Sequence, residues 1–367
     1  MICPLDWGWG HASRMIPIVH LLSQNYHFEV VLGLSGSSGE ILQSEFPDLK
    51  AVPMPTSNIK YASGDSLIGK IFWQLPKVLW TTIVEHIYLK KLIKTEKIAC
   101  VISDHRLGLF NKNLISILVI HQLNMRFPSG LKRIGKVFNR LHYHVIRKFD
   151  QVWIPDLSRE KNIAGDLSTP PLKISHFYKI GILSKFLLRK ESIDKKTREF
   201  YDMVVLLSGP EPQRSILENI LTGQLSKLNR KVFFIRGISG ENTLVKQNNL
   251  HFVSHLNYRE MLPIISGADI VICRSGYSSI MDLIALGKQG ILIPTPGQTE
   301  QEYLSDYLKE KGYFYSEKQK SFDISRALKS FHGFYPPQIG DFSPELYTRL
   351  KWLNEQLKKY KGKHKNG

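Results

Sequence analysis

The feature that most limits how this chain folds is a set of short apolar runs that alternate with helical stretches. The runs are residues 28–34, 99–103, 115–120 and 151–154, then 203–207, 232–235, 269–273 and 290–293. A strand exposed on one face alternates apolar and polar residues, whereas a strand covered on both faces need not. These continuous runs therefore predict parallel strands flanked by helices. They form two sets around a charged, irregular stretch, 184–202. The expected architecture is α/β of the doubly wound kind, with one Rossmann-like domain over 1–183, a connection over 184–202 and a second domain over 203–335. Residues 336–367 are expected to supply a helix over 344–359 that crosses back to the first domain, and then a basic tail. A length of 367 residues suits two cores better than one.

Lysine and arginine number 50 against 32 acidic residues, a formal charge of +18 that favours anionic partners. The longest apolar stretch, 67–93, is interrupted by Lys70, Pro76, Lys77, Glu85, Lys90 and Lys91, so no membrane-crossing helix is expected. The first residues, MICPLDWGWGH, have neither a basic region nor a long apolar one, and a secretory signal is not expected. The reading is a cytoplasmic protein. Cys3, Cys100 and Cys273 are isolated in apolar runs, which fits buried thiols and offers no metal-ligand spacing.

In an open parallel sheet, ligands bind beyond the carboxyl ends of strands, so four loops matter most. The first, 6–14, carries Gly8, Gly10, His11 and Arg14 before a helix expected from Met15. The glycines permit close backbone approach, and His11 at a helix start suits a base, a hydrogen-bond donor or a packing role. A third glycine near Ser13 and an acid after the next strand are missing, which disfavours a dinucleotide. The second loop, 208–214, holds Gly209, Gln213 and Arg214 before a helix; free helix-start amides suit a phosphate there, with Arg214 as a contact or as an ordinary surface residue. The third places Arg274, Ser275, Gly276 and Ser278 at another helix start, with Asp282 two turns along either reaching a ribose hydroxyl or facing solvent. The fourth, 294–302, offers Gln298, Gln301 and Glu302 to sugar hydroxyls, or is a helix start capped by Thr299.

Together these loops resemble glycosyltransferase family 28, most specifically over 269–303, where strand, Arg-Ser-Gly, acid-bearing helix, strand, Pro-rich loop and Gln-Glu-Tyr occur in order. The loops 6–14 and 208–214 look closer still to a little-characterised bacterial branch. The resemblance implies a GT-B fold, two Rossmann-like domains with a donor cleft between them, and transfer of a sugar from a nucleotide sugar. A UDP-linked sugar, N-acetylglucosamine among the candidates, is the implied donor. It further implies that Arg274, Ser275 and Gly276 lie near the nucleotide, Leu256 near the base, Asp282 near the ribose, and Gln301 and Glu302 near the sugar. Two positions depart from the family pattern: Asp282 stands where the resemblance implies the longer glutamate, and Glu302 replaces one of two glutamines.

The expected chemistry is inverting and needs neither metal nor cofactor, the nucleotide sugar being a substrate. His11 is the first candidate base and Asp104, after the run 99–103, the second; Arg214 and helix N-termini would hold the leaving diphosphate. In 69–93, Trp73, Lys77, Trp80 and Val84 recur at helical spacing on a face distinct from Ile68, Phe72, Leu75, Leu79 and Ile83. The second stripe is read as core, and the first either packs inside as well or rests on an anionic inner membrane leaflet beside a lipid-linked or glycan acceptor; the basic tail 358–365 is either a solvated end or a second contact to that surface. An epimerase or hydrolase is the rival on the same fold. Nucleic acid is disfavoured, because the aromatic residues form no stacking platform among the basic ones.

Overall fold

The computed structural model describes residues 1–6, 8–56, 67–127, 130, 132–170, 175–192, 200–238 and 241–365. It divides into two compact units. One comprises 1–60, 68–183 and 342–367, and residues 184–341 belong to the other. The stretch expected to connect the domains thus joins the second unit as far as it is described, with a 3-10 segment at Lys185–Ser192; residues 193–199 lie outside the description.

In the first unit the chain runs β1 (Ile2–Cys3), α1 (Gly8–His20), β2 (Leu32–Leu34), α2 (Gly36–Glu45), β3 (Ala51–Pro53), α3 (Leu67–Thr95), β4 (Cys100–Asp104), β5 (Ile115–Val119), α4 (Lys132–Ile146), β6 (Gln151–Ile154) and β7 (Phe177–Lys179). The seven strands are parallel in the order β3-β2-β1-β4-β5-β6-β7. Strand order reverses between β1 and β4, which places a topological switch point there. All residues of β4 and β6 are buried, the two-sided cover that their unbroken apolar patterning predicts. Leu89 and Leu92 of α3 seal one part of the core against Cys3, Val52 and Val101, while Ile146 and Phe149 seal another against Leu118 and Val152.

The second unit continues with β8 (Met203–Leu206), α5 (Gln213–Leu225), β9 (Val232–Ile235), β10 (Val245–Gln247), β11 (Leu250–Val253), α6 (Tyr258–Gly267), β12 (Ile270–Cys273), α7 (Tyr277–Leu286), β13 (Gly290–Leu292), α8 (Thr299–Glu310), β14 (Tyr315–Ser316) and α9 (Ile324–Ser330). Its sheet order is β10-β11-β9-β8-β12-β13-β14, parallel except for the β10 hairpin. A capping box, Asn257 with Glu260, starts α6, and Gly287 at φ +62° closes α7. Helix α10 (Pro344–Lys365) extends beyond the expected end at 359 and groups with the first unit. Cys3, Cys100 and Cys273 are free and buried, and burial pushes the Cys3 thiol up to about 11 and the other two to about 12.

Two sequence expectations need correcting. The helix expected from Met15 begins at Gly8, so Gly8, Gly10, His11 and Arg14 stand on α1 and not in a loop. On α3, Leu79 and Ile83 were expected in the core, yet they are exposed together with Trp80 and Ile87; the helix buries Glu85, Leu89 and Leu92 instead. The side chains of Trp73, Ile68, Phe72 and Leu75 lie outside the described ones. The buried side of this part of α3 includes an ion pair. Arg106 is held by Glu85 at 2.8 Å, the Pro4 carbonyl at 3.2 Å, Ser35 at 3.0 Å and the Pro55 carbonyl. A methyl group on Gly108 would collide with the Thr82 carbonyl, so helix and loop meet only because that residue is glycine. Glu85→Ala would strand the Arg106 charge inside the unit and should cost about 3–5 kcal/mol in urea unfolding, far more than loss of an exposed pair.

Candidate functional site

In the first unit, His11 of α1, Asp104 at the end of β4 and the residues just beyond β4 and β5 converge at the switch point. Arg14 grips Asp104 with two prongs, Nε to Oδ2 at 2.9 Å and Nη2 to Oδ1 at 2.6 Å. His11 Nδ1 lies 2.8 Å from Asp104 Oδ2 and His105 Nδ1 3.0 Å from Oδ1, while Arg14 Nη1 lies 3.2 Å from His121 Nδ1. His105 takes φ +57°, the left-handed region that a non-glycine residue seldom adopts. Burial alone would raise the Asp104 carboxyl, but the Arg14 charge, with hydrogen bonds from His105 and His11, outweighs it and holds that group well below the usual range. Burial, then the Arg14 charge, lower the His11 imidazole below 6.5. His11 keeps about a fifth of its side-chain surface exposed, whereas Asp104 has none. A neutral imidazole with one nitrogen facing a buried carboxylate leaves the other to take up a proton.

His11, Asp104 and His105 also lie close enough together to share a metal ion. The space among them holds a guanidinium, since Arg14 Nη2 approaches His11, His105 at 2.9 Å and Asp104 at 2.6 Å. A divalent cation would have to displace that charge.

In the second unit the loops after β8, β9, β12 and β13 meet at the carboxyl edge of the sheet. Arg274, fully buried, donates to the carbonyls of Ile293 at 3.3 Å, Pro294 at 3.2 Å and Gln213 at 2.7 Å, stitching three of these loops together. Burial lowers its guanidinium to about 10. Gly237 has φ +64°, and a methyl there would strike the Leu207 carbonyl. Gly276 caps α7 without any side chain, and a methyl on it would meet nothing nearer than Ser279 Oγ at 4.0 Å. The start of α7 beside Gly276 is therefore uncrowded, and a helix start of that kind attracts a phosphate. Across from it, Thr295 Oγ1 is buried and has no partner among the described residues, 3.6 Å from where a methyl on Gly209 would sit.

Comparisons with known proteins agree with this geometry. Residues 203–330 match the glycosyltransferase family 28 C-terminal domain. An uncharacterized glycosyltransferase of Methanosarcina mazei is 25% identical over 326 residues, covering 83% of this chain and 82% of that protein. The UDP-N-acetylglucosamine--N-acetylmuramyl-(pentapeptide) pyrophosphoryl-undecaprenol N-acetylglucosamine transferase of Desulforudis audaxviator is 46% identical over 57 residues, 15% of each chain. The crystal structure of the kitacinnamycin glycotransferase superposes with a TM-score of 0.64 at 12% identity, covering 98% of this chain and 94% of that one. The chain is a glycosyltransferase of the GT-B fold whose second unit resembles the family 28 C-terminal domain.

Several residues of the transferase do other work than its sequence suggests. Arg214, expected on a diphosphate, is buried between Glu211 and Glu218, both at 2.6 Å, and Glu218 also holds Arg236 at 2.6 Å. Arg274 braces the loops and keeps no exposed surface for a nucleotide. Asp282 accepts from Ser184 at 2.5 Å and lies 3.8 Å from Lys185, so its carboxylate is already occupied. Burial raises its pKa, against the pull of Lys185 and Ser184. Gln298, and not Thr299, is the N-cap of α8. Gln301 Oε1 accepts from Thr295 N at 2.9 Å, Glu302 Oε1 from Gly297 N at 3.0 Å, and the Gln301 carbonyl from Ser275 Oγ at 2.8 Å. Gln213 Oε1 accepts from Gln319 at 3.0 Å. Leu256, half-buried, sits in the turn between β11 and α6, and Ser278 lies in the first turn of α7.

Sequence reasoning missed His121, Arg236 and Thr295, and gave His105 no role. His105 and His121 directly follow strands, the rule that singled out Asp104, so both were within its reach. Gly276→Asp tests the open helix start in the transferase. The new carboxylate should cap α7, raising stability by a few tenths of a kcal/mol, while weakening nucleotide-sugar binding about tenfold or more by calorimetry.

Proposed function

We propose that the transferase moves a sugar from a UDP-linked donor to a hydroxyl of a lipid-linked acceptor, with inversion and without a metal ion. The observation that carries this reading is the His11–Asp104–Arg14 arrangement at the switch point of the first sheet. In the proposed step His11 takes the hydroxyl proton on its outward nitrogen as the oxygen attacks the anomeric carbon. The bond from that carbon to the diphosphate breaks on the opposite face. Asp104, ionised throughout, fixes the imidazole and stabilises its charged form. The amides of α7, aided by the half-exposed Arg236, take up the charge of the leaving diphosphate. N-acetylglucosamine is the first sugar to test, because the D. audaxviator relative is named for it.

His11→Ala should lower kcat about a hundred- to ten-thousand-fold and leave the donor dissociation constant unchanged. A base acts only when neutral. With its pKa held below 6.5, His11 is neutral at pH 7 and is lost as a base only as pH falls through that lowered value. The acid limb of kcat/KM should therefore lie below pH 6.5 and vanish in the variant, with turnover measured in EDTA and the product anomer read by NMR. Full activity in His11→Ala would remove the proposed base, and donor turnover without acceptor would mark an epimerase or hydrolase.

A lipid-borne acceptor is supported by the surface of the first unit. On α3, Leu79, Trp80, Ile83 and Ile87 are exposed; on α4, Ile134, Val137 and Leu141 are exposed beside the basic Arg133, Lys136 and Arg140. Both helices belong to crossovers of the same sense, β3 to β4 and β5 to β6, and right-handed connection puts them on one face. No described helix is long and apolar enough to cross a membrane, and we place the protein on the inner face of the cytoplasmic membrane. Sedimentation with anionic vesicles should capture the protein at low salt, and Trp80→Glu with Val137→Glu should release it. Retention of the double variant would sink this part of the reading.

A further inference from the structure

The carboxyl ends of the first sheet carry His11 and Asp104. At the other end, where β4, β5 and β6 begin, lies an open cleft of about 980 Å³ that the proposed reaction does not use. Lys90, Lys91 and Lys94 from the end of α3, Lys112 from the β4–β5 connection and Lys148 from the turn after α4 all line it. Among the described residues, no carboxylate is paired with any of these five ammonium groups. The lining includes one acid, Asp150, and its carboxylate accepts from Ser116 N at 2.7 Å. Phe110 supplies an apolar wall, with Lys148 Nζ 5.3 Å from its ring centre.

Helix chemistry explains only part of this clustering. A lysine in a last turn is favoured by the helix dipole, which accounts for Lys94. Lys90 and Lys94, four apart, repel each other, and Lys112 and Lys148 arrive from separate segments. Like charges gathered around one concavity with an apolar wall focus a positive potential that an anion relieves. Tyr360 of α10 donates to the Asn113 carbonyl at the rim at 3.2 Å. That bond tethers beside the cleft the part of α10 that carries the exposed Lys358 and Lys359.

We propose that this cleft binds a group carrying two or more adjacent phosphates, at a site separate from that of the nucleotide sugar. The spacing of lysines on three segments suits several oxyanions better than one. The phosphates come either from a soluble polyphosphate or from a phospholipid headgroup. The proposal does not depend on the reaction proposed above.

The test titrates inorganic tripolyphosphate into the full chain at low salt by calorimetry, and in parallel sediments it with cardiolipin-containing vesicles. Wild type is compared with Lys91→Glu/Lys94→Glu/Lys112→Glu, with the same three lysines changed to arginine, and with Gly276→Asp; urea midpoints check that all four fold alike. Tripolyphosphate binding weakened at least about tenfold by the glutamate triple, kept by the arginine triple and kept by Gly276→Asp supports the site with a soluble ligand. A weakening confined to cardiolipin vesicles, by the glutamate triple but not by Trp80→Glu, supports it with a headgroup. Binding unchanged in the glutamate triple, or lost in Gly276→Asp instead, overturns the proposal.

Discussion

The two-pronged grip of Arg14 on Asp104 is the interaction on which the candidate chemistry of the first unit depends. A carboxylate with no solvent exposure is expensive to ionise, and unaided burial would leave it protonated. The guanidinium reverses that outcome and keeps Asp104 an acceptor. An acceptor at that point settles which way the His11 ring faces, and burial, reinforced by the same positive charge, keeps the ring neutral. One arginine thus orients the histidine through Asp104 and tunes it directly. The left-handed backbone at His105 is tolerated because its ring packs against those of His11 and His121, at 5.2 Å and 4.9 Å between centres.

The second unit uses buried guanidiniums differently. Arg214 is paired with Glu211 and Glu218, while Arg274 is held by three carbonyls that brace the loops but leave its charge unneutralised, with Nε unpartnered among the described residues. Anion recognition can then draw on the backbone at the start of α7, whose N-cap Gly276 brings no side chain. Backbone amides on a helix anchored by Ile280, Met281 and Ile284 cannot swing away as a surface lysine can, which suits them to a charge that develops during a reaction. The carboxylates of Asp282 and Glu302 are engaged locally in the same way.

The fold was legible because covered parallel strands leave a continuous apolar signature, and each of the runs that defined the two sets contains a strand. Those that escaped notice, such as Ala51–Pro53, Val245–Gln247 and Tyr315–Ser316, are two or three residues long and include polar or edge positions with little apolar content. The start of α1 was misread because Gly8 and Gly10 have poor helix propensity, and packing of Ala12, Met15, Ile16 and Val19 against the core overrides it. The roles of the arginines were harder. Glu211 and Glu218 stand three before and four after Arg214, a spacing that announces ion pairs on a helix, so that pairing was readable. Nothing local marks Arg274 or the Ser184 contact to Asp282, whose partners are distant in sequence. His11 and Asp104 were both legible, since each follows a strand at the switch point, but their 2.8 Å contact depends on the register of β1 beside β4.

The positive excess of +18 invites assignment to the donor diphosphate, and the disposition of charge argues otherwise. The guanidiniums of Arg14, Arg214 and Arg236 are matched by carboxylates and contribute little net potential at the candidate sites, whereas Arg274, held by carbonyls, keeps its charge. Among the described side chains, cations without a carboxylate partner gather on α4 and at the end of α3, both within the first unit. Exposed charges of that kind are screened within about 8–10 Å at physiological salt, whereas the buried pairs are not. Salt should therefore separate the two populations physically. Attraction of the transferase to anionic surfaces and phosphates falls as ionic strength rises, while the geometry of His11, Arg14 and Asp104, set inside the unit, stays as it is.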